Sequence, residues 1–250
     1  MILMYHNIDD EIGFNTISTE NFEEQIKYLK SRTKLSIVSI NDYLKNIKHQ
    51  KNKKIVTISF DDAYVSIKSK VLPIIKKYNI PIIVFVPVGL VGKHNTWDTV
   101  NGHKQINILN WNEIRELNNE NLITFGTHGL NHISLGNADL ETVKNEFEKS
   151  KEILEAEIGK AVECFSYPFG QLKDIPKKSH ILLKEYGYKA GFSTIWNRTN
   201  KIKNQYLLNR IEIKSTNNIE SFKSIIHRKI DFKYYKQQLK NLLFKLNILK

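Results

Sequence analysis

Apolar and polar positions follow two different periods along the chain. Short apolar runs rich in Ile, Val and Phe have the length and composition of buried strands. Between them, apolar residues recur at spacings of three and four, which predicts amphipathic helices. The predicted strands are residues 2–5, 34–40, 55–60, 81–86, 122–125, 162–166, 189–193 and 206–213. The predicted helices include one that carries Phe22, Ile26 and Leu29, capped by Ser18 or Thr19, and residues 41–47, 64–78, 111–118, 138–158, 179–186 and 219–226.

The alternation of strands and helices predicts an α/β protein with a parallel sheet. No segment rich in Pro, Gly or Ser divides the 250 residues, so one domain is favoured over two. We expect a single distorted (β/α) barrel of about seven strands over residues 1–221, followed by a basic amphipathic helical tail over residues 222–250. The stretch 89–108 has no sustained period, and we interpret it as a wall or lid over the site.

Composition and the N-terminal segment narrow the class of protein. A hydrophobic fraction of 41% and an aromatic fraction of 10% indicate an ordinary globular core and exclude a disordered chain. Cys164 is the single cysteine, so no internal disulfide can form. The N-terminus lacks the basic segment and cleavage site of a signal peptide, and the longest apolar run, residues 80–91, is too short to cross a bilayer. These features predict a cytoplasmic protein.

The net charge of +12 is concentrated in the tail. Residues 222–250 contain eight Lys or Arg and one acidic residue, Asp231. Two interpretations stay open: a basic amphipathic helix in peripheral contact with the inner membrane surface, or a last helix packed on the barrel with solvated lysines. No nucleic-acid partner is expected, because no recognised motif accompanies the charge. The apolar positions of this tail are Phe232, Tyr235, Leu239, Leu242, Leu243, Leu246 and Leu249.

Two acids and two histidines follow separate predicted strands. Asp61 and Asp62 end the strand 55–60, and adjacent carboxylates repel each other unless a cation or a shared proton intervenes. The ends of parallel strands meet at one face of a barrel, so His128 and His132 are expected to join the acids. We predict that Asp62, His128 and His132 bind a divalent metal, zinc, with the two histidines on one side of a helical turn. Asp61 is then the expected general base that takes a proton from water.

Three motifs follow each other along the chain: Ser59-Phe60-Asp61-Asp62, His128-x-x-x-His132 and Tyr167-Pro168-Phe169-Gly170. They resemble the first, second and third motifs of the polysaccharide deacetylases, the NodB-homology enzymes of carbohydrate esterase family 4. The resemblance implies hydrolysis of the acetamide of an N-acetylated sugar. It also implies that the backbone N–H of Phe169 stabilises the oxyanion and that Tyr167 and Pro168 line the substrate site. Met4-Tyr5-His6 is similar to the opening of the branch that acts on poly-N-acetylglucosamine.

Two positions depart from the pattern of that family. Ser166 stands where the third motif has an arginine, and Arg210 stands where a later motif has the histidine that acts as general acid. Arginine cannot release a proton near neutral pH, so we expect Arg210 to stabilise charge in the site, or else to form a satisfied ion pair. His6, at the end of the first strand, is the predicted general acid, with a buried structural histidine as the alternative and His103 as a second candidate.

The predicted function is a metal-dependent N-deacetylase of an N-acetylhexosamine-containing glycan or of a lipid-linked sugar precursor in lipopolysaccharide or surface-polysaccharide assembly. Trp97 and Asp98 are expected to line the sugar cleft by stacking and hydrogen bonding, unless they are surface residues of the 89–108 loop. Four alternatives remain: deacylation or deformylation of a non-sugar amide, oxygen chemistry at a non-haem iron, a catalytically silent glycan-binding protein, and an acid pair that only caps a helix. The base Asp61 argues against the iron alternative.

Overall fold

The computed structural model describes residues 1–11, 13–49, 54–227 and 232–245. The strands of this part of the chain are β1 (Ile2–Tyr5), β2 (Asn7–Ile8), β3 (Thr16–Ile17), β4 (Ser36–Ile37), β5 (Ile55–Phe60), β6 (Ile82–Val86), β7 (Ile123–Thr127), β8 (Cys164–Ser166), β9 (Ala190–Trp196) and β10 (Leu208–Glu212). The α-helices are α1 (Thr19–Ser31), α2 (Ile40–Lys48), α3 (Leu72–Tyr78), α4 (Thr96–Thr99), α5 (Trp111–Leu117), α6 (Leu140–Ile158), α7 (Ser179–Glu185), α8 (Ile219–His227) and α9 (Phe232–Lys245).

Seven parallel strands close into a barrel in the order β1-β10-β9-β8-β7-β6-β5, which confirms the predicted NodB-like (β/α) barrel. The β1–β5 pairing closes the barrel, with Ile2 opposite Thr57 and Tyr5 opposite Phe60. Every residue of β5 and of β6 is buried, because the barrel interior covers one face of each strand and helices cover the other. All seven strands therefore end at one rim, and the residues that follow them share that rim.

The helices that the sequence predicts are largely present in the structure. Phe22, Ile26 and Leu29 are the buried face of α1, and Ser18 is its cap, since its hydroxyl accepts the N–H of Asn21 at 3.2 Å. The long helix α6 begins after Asp139 and ends at Gly159, which has the left-handed φ of 66° that favours glycine at this position.

Three predicted segments differ from the structure for local reasons. The strand predicted over 34–40 shrinks to β4, because Ser39 caps α2 and starts that helix at Ile40. The helix predicted over 64–78 is a π-helical turn over Ile67–Val71 followed by α3, where Pro73 has no N–H to continue an α-helical pattern. The loop 89–108 is ordered around the buried Asn95, whose side chain bonds the backbone at Lys104 and Ile106.

Helices α8 and α9 end the described part of the chain. The boundary predicted between residues 221 and 222 falls inside α8, whose Phe222 and Ile226 are buried in the main hydrophobic cluster. Helix α9 presents Tyr235, Leu239 and Leu242 to solvent. Of the other predicted tail positions, Leu243 is half-buried, and the side chain of Phe232 and the residues Leu246 and Leu249 lie outside what the structure describes. Within the described residues, none of the helices combines the length and apolar character needed to cross a membrane.

Candidate active site and metal centre

The rim at the ends of the strands gathers most of the predicted site residues. Asp61 and Asp62 follow β5, His6 follows β1 and His128 follows β7. The N–H of Asp61 donates to the carbonyl of Tyr5 at 3.0 Å, so the strand pairing between β1 and β5 continues up to the first acid. The convergence expected from a parallel barrel is what the structure has.

Asp62, His128 and His132 form a compact set of metal-ligating groups. One ligand atom from each lies within 4.8 Å of the other two, and all three residues are buried. The Nε2 atoms of His128 and His132 lie 3.5 Å and 3.3 Å from Oδ1 of Asp62. This Oδ1 atom is buried without a hydrogen-bond partner in the described part of the chain, a deficit that a bound cation satisfies. The donor set and the orphaned oxygen fit a divalent metal such as zinc.

The neighbours of His128 prepare it to act as a ligand. Its Nδ1 donates to the backbone carbonyl of Ser166 at 2.7 Å, which fixes the tautomer and leaves Nε2 facing Asp62. Burial lowers the pKa of His128 to about 4, despite the opposing charge of Asp61. The imidazole is therefore neutral near pH 7, as metal binding requires.

His132 reaches the metal set from a loop. The expectation that the two histidines share a helical turn is wrong, because residues 128–132 contain no helix. Gly129 and His132 have φ values of 75° and 51°, which turn the backbone out of a helical path. The turn brings the ring of His132 to a stacked distance of 3.7 Å from Trp97, with the ring of Phe169 edge-on at 5.1 Å.

Asp61 is held by Arg210 in a bidentate ion pair. The Nη1 and Nη2 atoms of Arg210 donate to Oδ1 and Oδ2 of Asp61, both at 2.7 Å, and the arginine is 0% exposed. Burial alone would raise the pKa of Asp61, but the charge and hydrogen bonds of Arg210, together with smaller effects of the neighbouring histidines, outweigh it and hold the pKa below its usual range. Of the two interpretations of Arg210, the buried ion pair is the one that the contacts fit, and this pair lies inside the site.

Ser166 and Arg210, the two positions that depart from the family pattern, are in contact beside Asp61. Ser166, in the position where an arginine was expected, leaves space for Arg210, and its hydroxyl accepts from Nη2 at 2.8 Å. Nε of Arg210 donates to the carbonyl of Ser193 at 2.9 Å. A guanidinium carried by β10 therefore occupies the neighbourhood of Asp61. Sequence reasoning missed this contact because the partners are 149 residues apart.

His6 lies on the same rim, and His103 does not share its surroundings. His6 follows Tyr5, which lies opposite Phe60 in the β1–β5 pairing, so His6 lies next to Asp61 and Asp62 at the rim. Its Nδ1 is buried without a hydrogen-bond partner among the described residues. His103 is exposed and stacks on the ring of Phe14 at 4.1 Å.

In the motif Tyr167-Pro168-Phe169-Gly170, Phe169 is exposed and the other three residues are buried. Tyr167 still pairs with β9 through Phe192, and its ring is fully buried. Pro168 is buried as well. Phe169 is 47% exposed, and its N–H has no acceptor in the described residues. This N–H is free to bind an oxyanion at the rim.

Trp97 and Asp98 form one edge of the site. Asp98 accepts hydrogen bonds from Nδ2 of Asn95 at 3.2 Å and from the hydroxyl of Tyr64 at 3.4 Å. Burial raises the pKa of Asp98, and the nearby charge of Asp62 adds to the shift. Trp97 and Asp98 therefore face the metal-ligating residues from the ordered loop that contains Asn95.

Comparison with known proteins agrees with the fold and the site. The family model described as polysaccharide deacetylase matches residues 48–191, and the chain belongs to this family. A poly-beta-1,6-N-acetyl-D-glucosamine N-deacetylase of Staphylococcus aureus strain MSSA476 is 28% identical over 237 residues, which cover 90% of this chain and 76% of the relative.

Two solved structures share the fold. The Streptococcus pyogenes deacetylase PplD in complex with acetate has a TM-score of 0.75 and 21% identity, and the alignment covers 91% of this chain and 97% of PplD. IcaB from Ammonifex degensii has a TM-score of 0.74 and 19% identity, with 90% and 94% of the two chains covered. Because the identities are 21% and 19%, this similarity shows that the fold is shared and no more.

From the ion pair between Arg210 and Asp61 we predict how substitutions at these two residues change the free energy of unfolding. Arg210→Met should lower the free energy of unfolding by about 3–5 kcal/mol, because it leaves the carboxylate of Asp61 buried and unpaired. Adding Asp61→Asn should recover much of this loss. Urea unfolding of the two single variants and the double variant measures the coupling. Lys68→Met, which removes a surface ion pair with Glu116, is the control and should change stability little. Additive effects of the two site substitutions would contradict the pairing.

Proposed function

We propose that the chain is a metal-dependent N-deacetylase that hydrolyses the acetamide of N-acetylhexosamine units in a glycan of the poly-β-1,6-N-acetylglucosamine type. The products are acetate and a free amine on the sugar. One observation carries the proposal: a buried Asp62–His128–His132 set lies beside a second carboxylate, Asp61, whose Oδ2 is 3.8 Å from Nε2 of His128. The name of the S. aureus relative supports the substrate class.

The charges around the site suit a divalent cation. Asp61 and Asp62 supply two buried negative charges, and Arg210 compensates only one of them. Asp62, His128 and His132 would hold the metal, and zinc is the ion that this donor set favours. When bound, such an ion lowers the pKa of a coordinated water and polarises the acetamide carbonyl.

Asp61 serves as the general base in this proposal. Its lowered pKa keeps it ionised at neutral pH, and a carboxylate oxygen has a second lone pair to accept a proton after it has accepted from Arg210. The bidentate guanidinium prevents rotation of the carboxylate, so that Oδ2 stays directed at the side of the metal set. Arg210 is a positioning residue here, since it is buried and has no access to substrate.

Phe169 and His6 complete the proposed reaction. The backbone N–H of Phe169 is available to stabilise the negative charge that develops on the carbonyl oxygen. His6 is on the rim near both acids and gives a proton to the departing amine nitrogen. Trp97 and Asp98 line the approach to His132 and contact the sugar.

The alternative of a catalytically silent glycan-binding protein rested on an arginine and a histidine of the family motifs that this sequence lacks. Two residues at the rim weaken that alternative. Arg210 supplies a guanidinium to Asp61 from another strand, and His6 supplies an imidazole at the rim. Deacylation of a non-sugar amide would use the same groups, and substrate screening separates it from the glycan proposal.

Asp61→Asn tests the proposed base. We expect acetate release from N-acetylglucosamine oligomers to fall by at least about 100-fold, because the amide cannot take a proton from water. Metal content, measured by elemental analysis, should stay at the wild-type level, since Asp61 is not in the ligand set. Chelation of the wild type should abolish release, and added zinc should restore it. Asp42→Asn, which removes an exposed carboxylate on α2, is the control for charge removal and should keep wild-type turnover. Wild-type turnover in Asp61→Asn would contradict the assignment.

His6→Ala tests the proposed acid. We expect kcat to fall by about 100-fold or more, together with loss of the decline in activity at high pH that deprotonation of an essential acid causes. The pH dependence of kcat is measured for His6→Ala and for the control His103→Ala. Full turnover with an unchanged pH profile in His6→Ala would leave His6 as a structural residue.

Helix α9 is the proposed site of peripheral contact with an anionic membrane surface. Its exposed Tyr235, Leu239 and Leu242 accompany Lys236 and Lys240, a combination that suits an acyl–headgroup boundary. Gln237 donates to Gln171 at 2.9 Å, so α9 lies beside the loop that follows Phe169. A cytoplasmic location and a lipid-linked precursor as substrate stay predictions from the sequence.

Co-sedimentation with vesicles measures this contact. The wild type should bind vesicles of anionic phospholipid, and the double variant Leu239→Glu/Leu242→Glu should lose binding, because two carboxylates then face the headgroups. Vesicles of neutral phospholipid are the control. Equal binding of both proteins to anionic vesicles would exclude this helix as the contact.

A further inference from the structure

Glu146 is a buried acid on α6 that reaches the loop between the two proposed histidine ligands. It is 1% exposed, and no Lys or Arg of the described residues forms an ion pair with it. Its Oε2 accepts the N–H of Leu130 at 2.6 Å and that of Asn131 at 3.1 Å. Its Oε1 accepts from Nδ2 of Asn131 at 2.8 Å. Donors from two consecutive residues thus surround one carboxylate.

The loop that Glu146 holds has an irregular backbone. Gly129 has a φ of 75°, and a Cβ placed there would lie 2.6 Å from Oε2 of Glu146. On its opposite side, the carbonyls of Gly129 and Leu130 accept the N–H groups of Val88 and Gly89 at 3.0 Å and 2.8 Å. The segment is therefore fixed through its donors by Glu146 and through its acceptors by the turn after β6. His132 follows immediately, with a φ of 51°.

Burying a carboxylate that has no cationic partner costs free energy. We therefore expect the hydrogen bonds of Glu146 to have a role that offsets this cost. Helical or strand pairing would satisfy the N–H groups of Leu130 and Asn131, but neither is compatible with the positive φ values of Gly129 and His132. A side chain with two acceptor oxygens satisfies them while the backbone keeps the conformation that directs both rings at Asp62.

We propose that Glu146 is a positioning residue of the metal centre, which fixes the loop of Gly129–His132 so that His128 and His132 are arranged for metal before it binds. This inference rests on the proposed metal-dependent function. Glu146 acts through the loop and does not touch the ion or the substrate. Its removal should weaken metal binding by about 10–100-fold, the range found for groups that orient ligands.

Glu146→Gln is the informative variant because it keeps the volume of the side chain. One acceptor oxygen becomes an NH₂ group that faces the donors of Leu130 and Asn131. Zinc is titrated into the metal-free wild type, into Glu146→Gln and into Glu152→Gln. Glu152 lies on the same helix, is exposed and pairs with Lys149, so its variant is the matched control.

The expected result is zinc affinity 10–100-fold lower in Glu146→Gln, wild-type affinity in Glu152→Gln, and recovery of most acetate release when zinc saturates the variant. A purely structural role would instead lower the urea midpoint of the metal-free protein and leave the zinc affinity of the folded protein unchanged. Wild-type affinity in folded Glu146→Gln overturns the inference.

Asn131→Ala keeps the test decisive if Glu146→Gln does not fold. It removes only the side-chain donor to Oε1, from an exposed residue, and should lower zinc affinity several-fold. Unchanged affinity in this variant overturns the inference in that case. A wild type that binds no zinc and releases no acetate would instead overturn the proposed function, and this inference with it.

Discussion

Two adjacent carboxylates buried at the end of β5 are the constraint on which the site depends. Asp61 and Asp62 are 1% and 3% exposed, and neighbouring buried charges of one sign are strongly unfavourable unless each has a partner. The chain gives them different partners. Asp61 has the guanidinium of Arg210, whereas Asp62 has two imidazoles and one oxygen with no hydrogen bond among the described residues. In the proposed function, this difference prepares one acid for proton transfer and the other for a cation.

Backbone strain is concentrated at the same place. Among the described residues, six other than glycine have a positive φ, and two of these are asparagines, which tolerate it. The remaining four are Asp62, Ala63, His132 and Phe169, which lie in or next to the site, and Ala63 and Phe169 are the residue types that tolerate a positive φ least. Such conformations cost about 1–3 kcal/mol each and persist where surrounding contacts enforce them. The barrel rim, the buried Glu146 and the turn after β8 provide those contacts here.

Much of the site could be predicted from local sequence. The strand β5 is recognisable as an apolar run that ends in two acids, and the histidines come after β7 in the same way. Contacts between residues that are distant in the sequence could not be predicted. The pairing of Arg210 with Asp61 depends on which strands of the closed barrel face each other, and the reach of Glu146 depends on how α6 packs.

The division of roles between Asp61 and Asp62 is tested by a crystal structure of the zinc-loaded protein, with anomalous scattering at the zinc edge. We expect one ion at about 2.0–2.2 Å from an oxygen of Asp62 and from Nε2 of both His128 and His132. Asp61 should remain outside the ligand set and keep both hydrogen bonds to Arg210. An ion bound by Asp61 with Arg210 displaced, or no ion between Asp62 and the two histidines, would contradict the division of roles between the two acids.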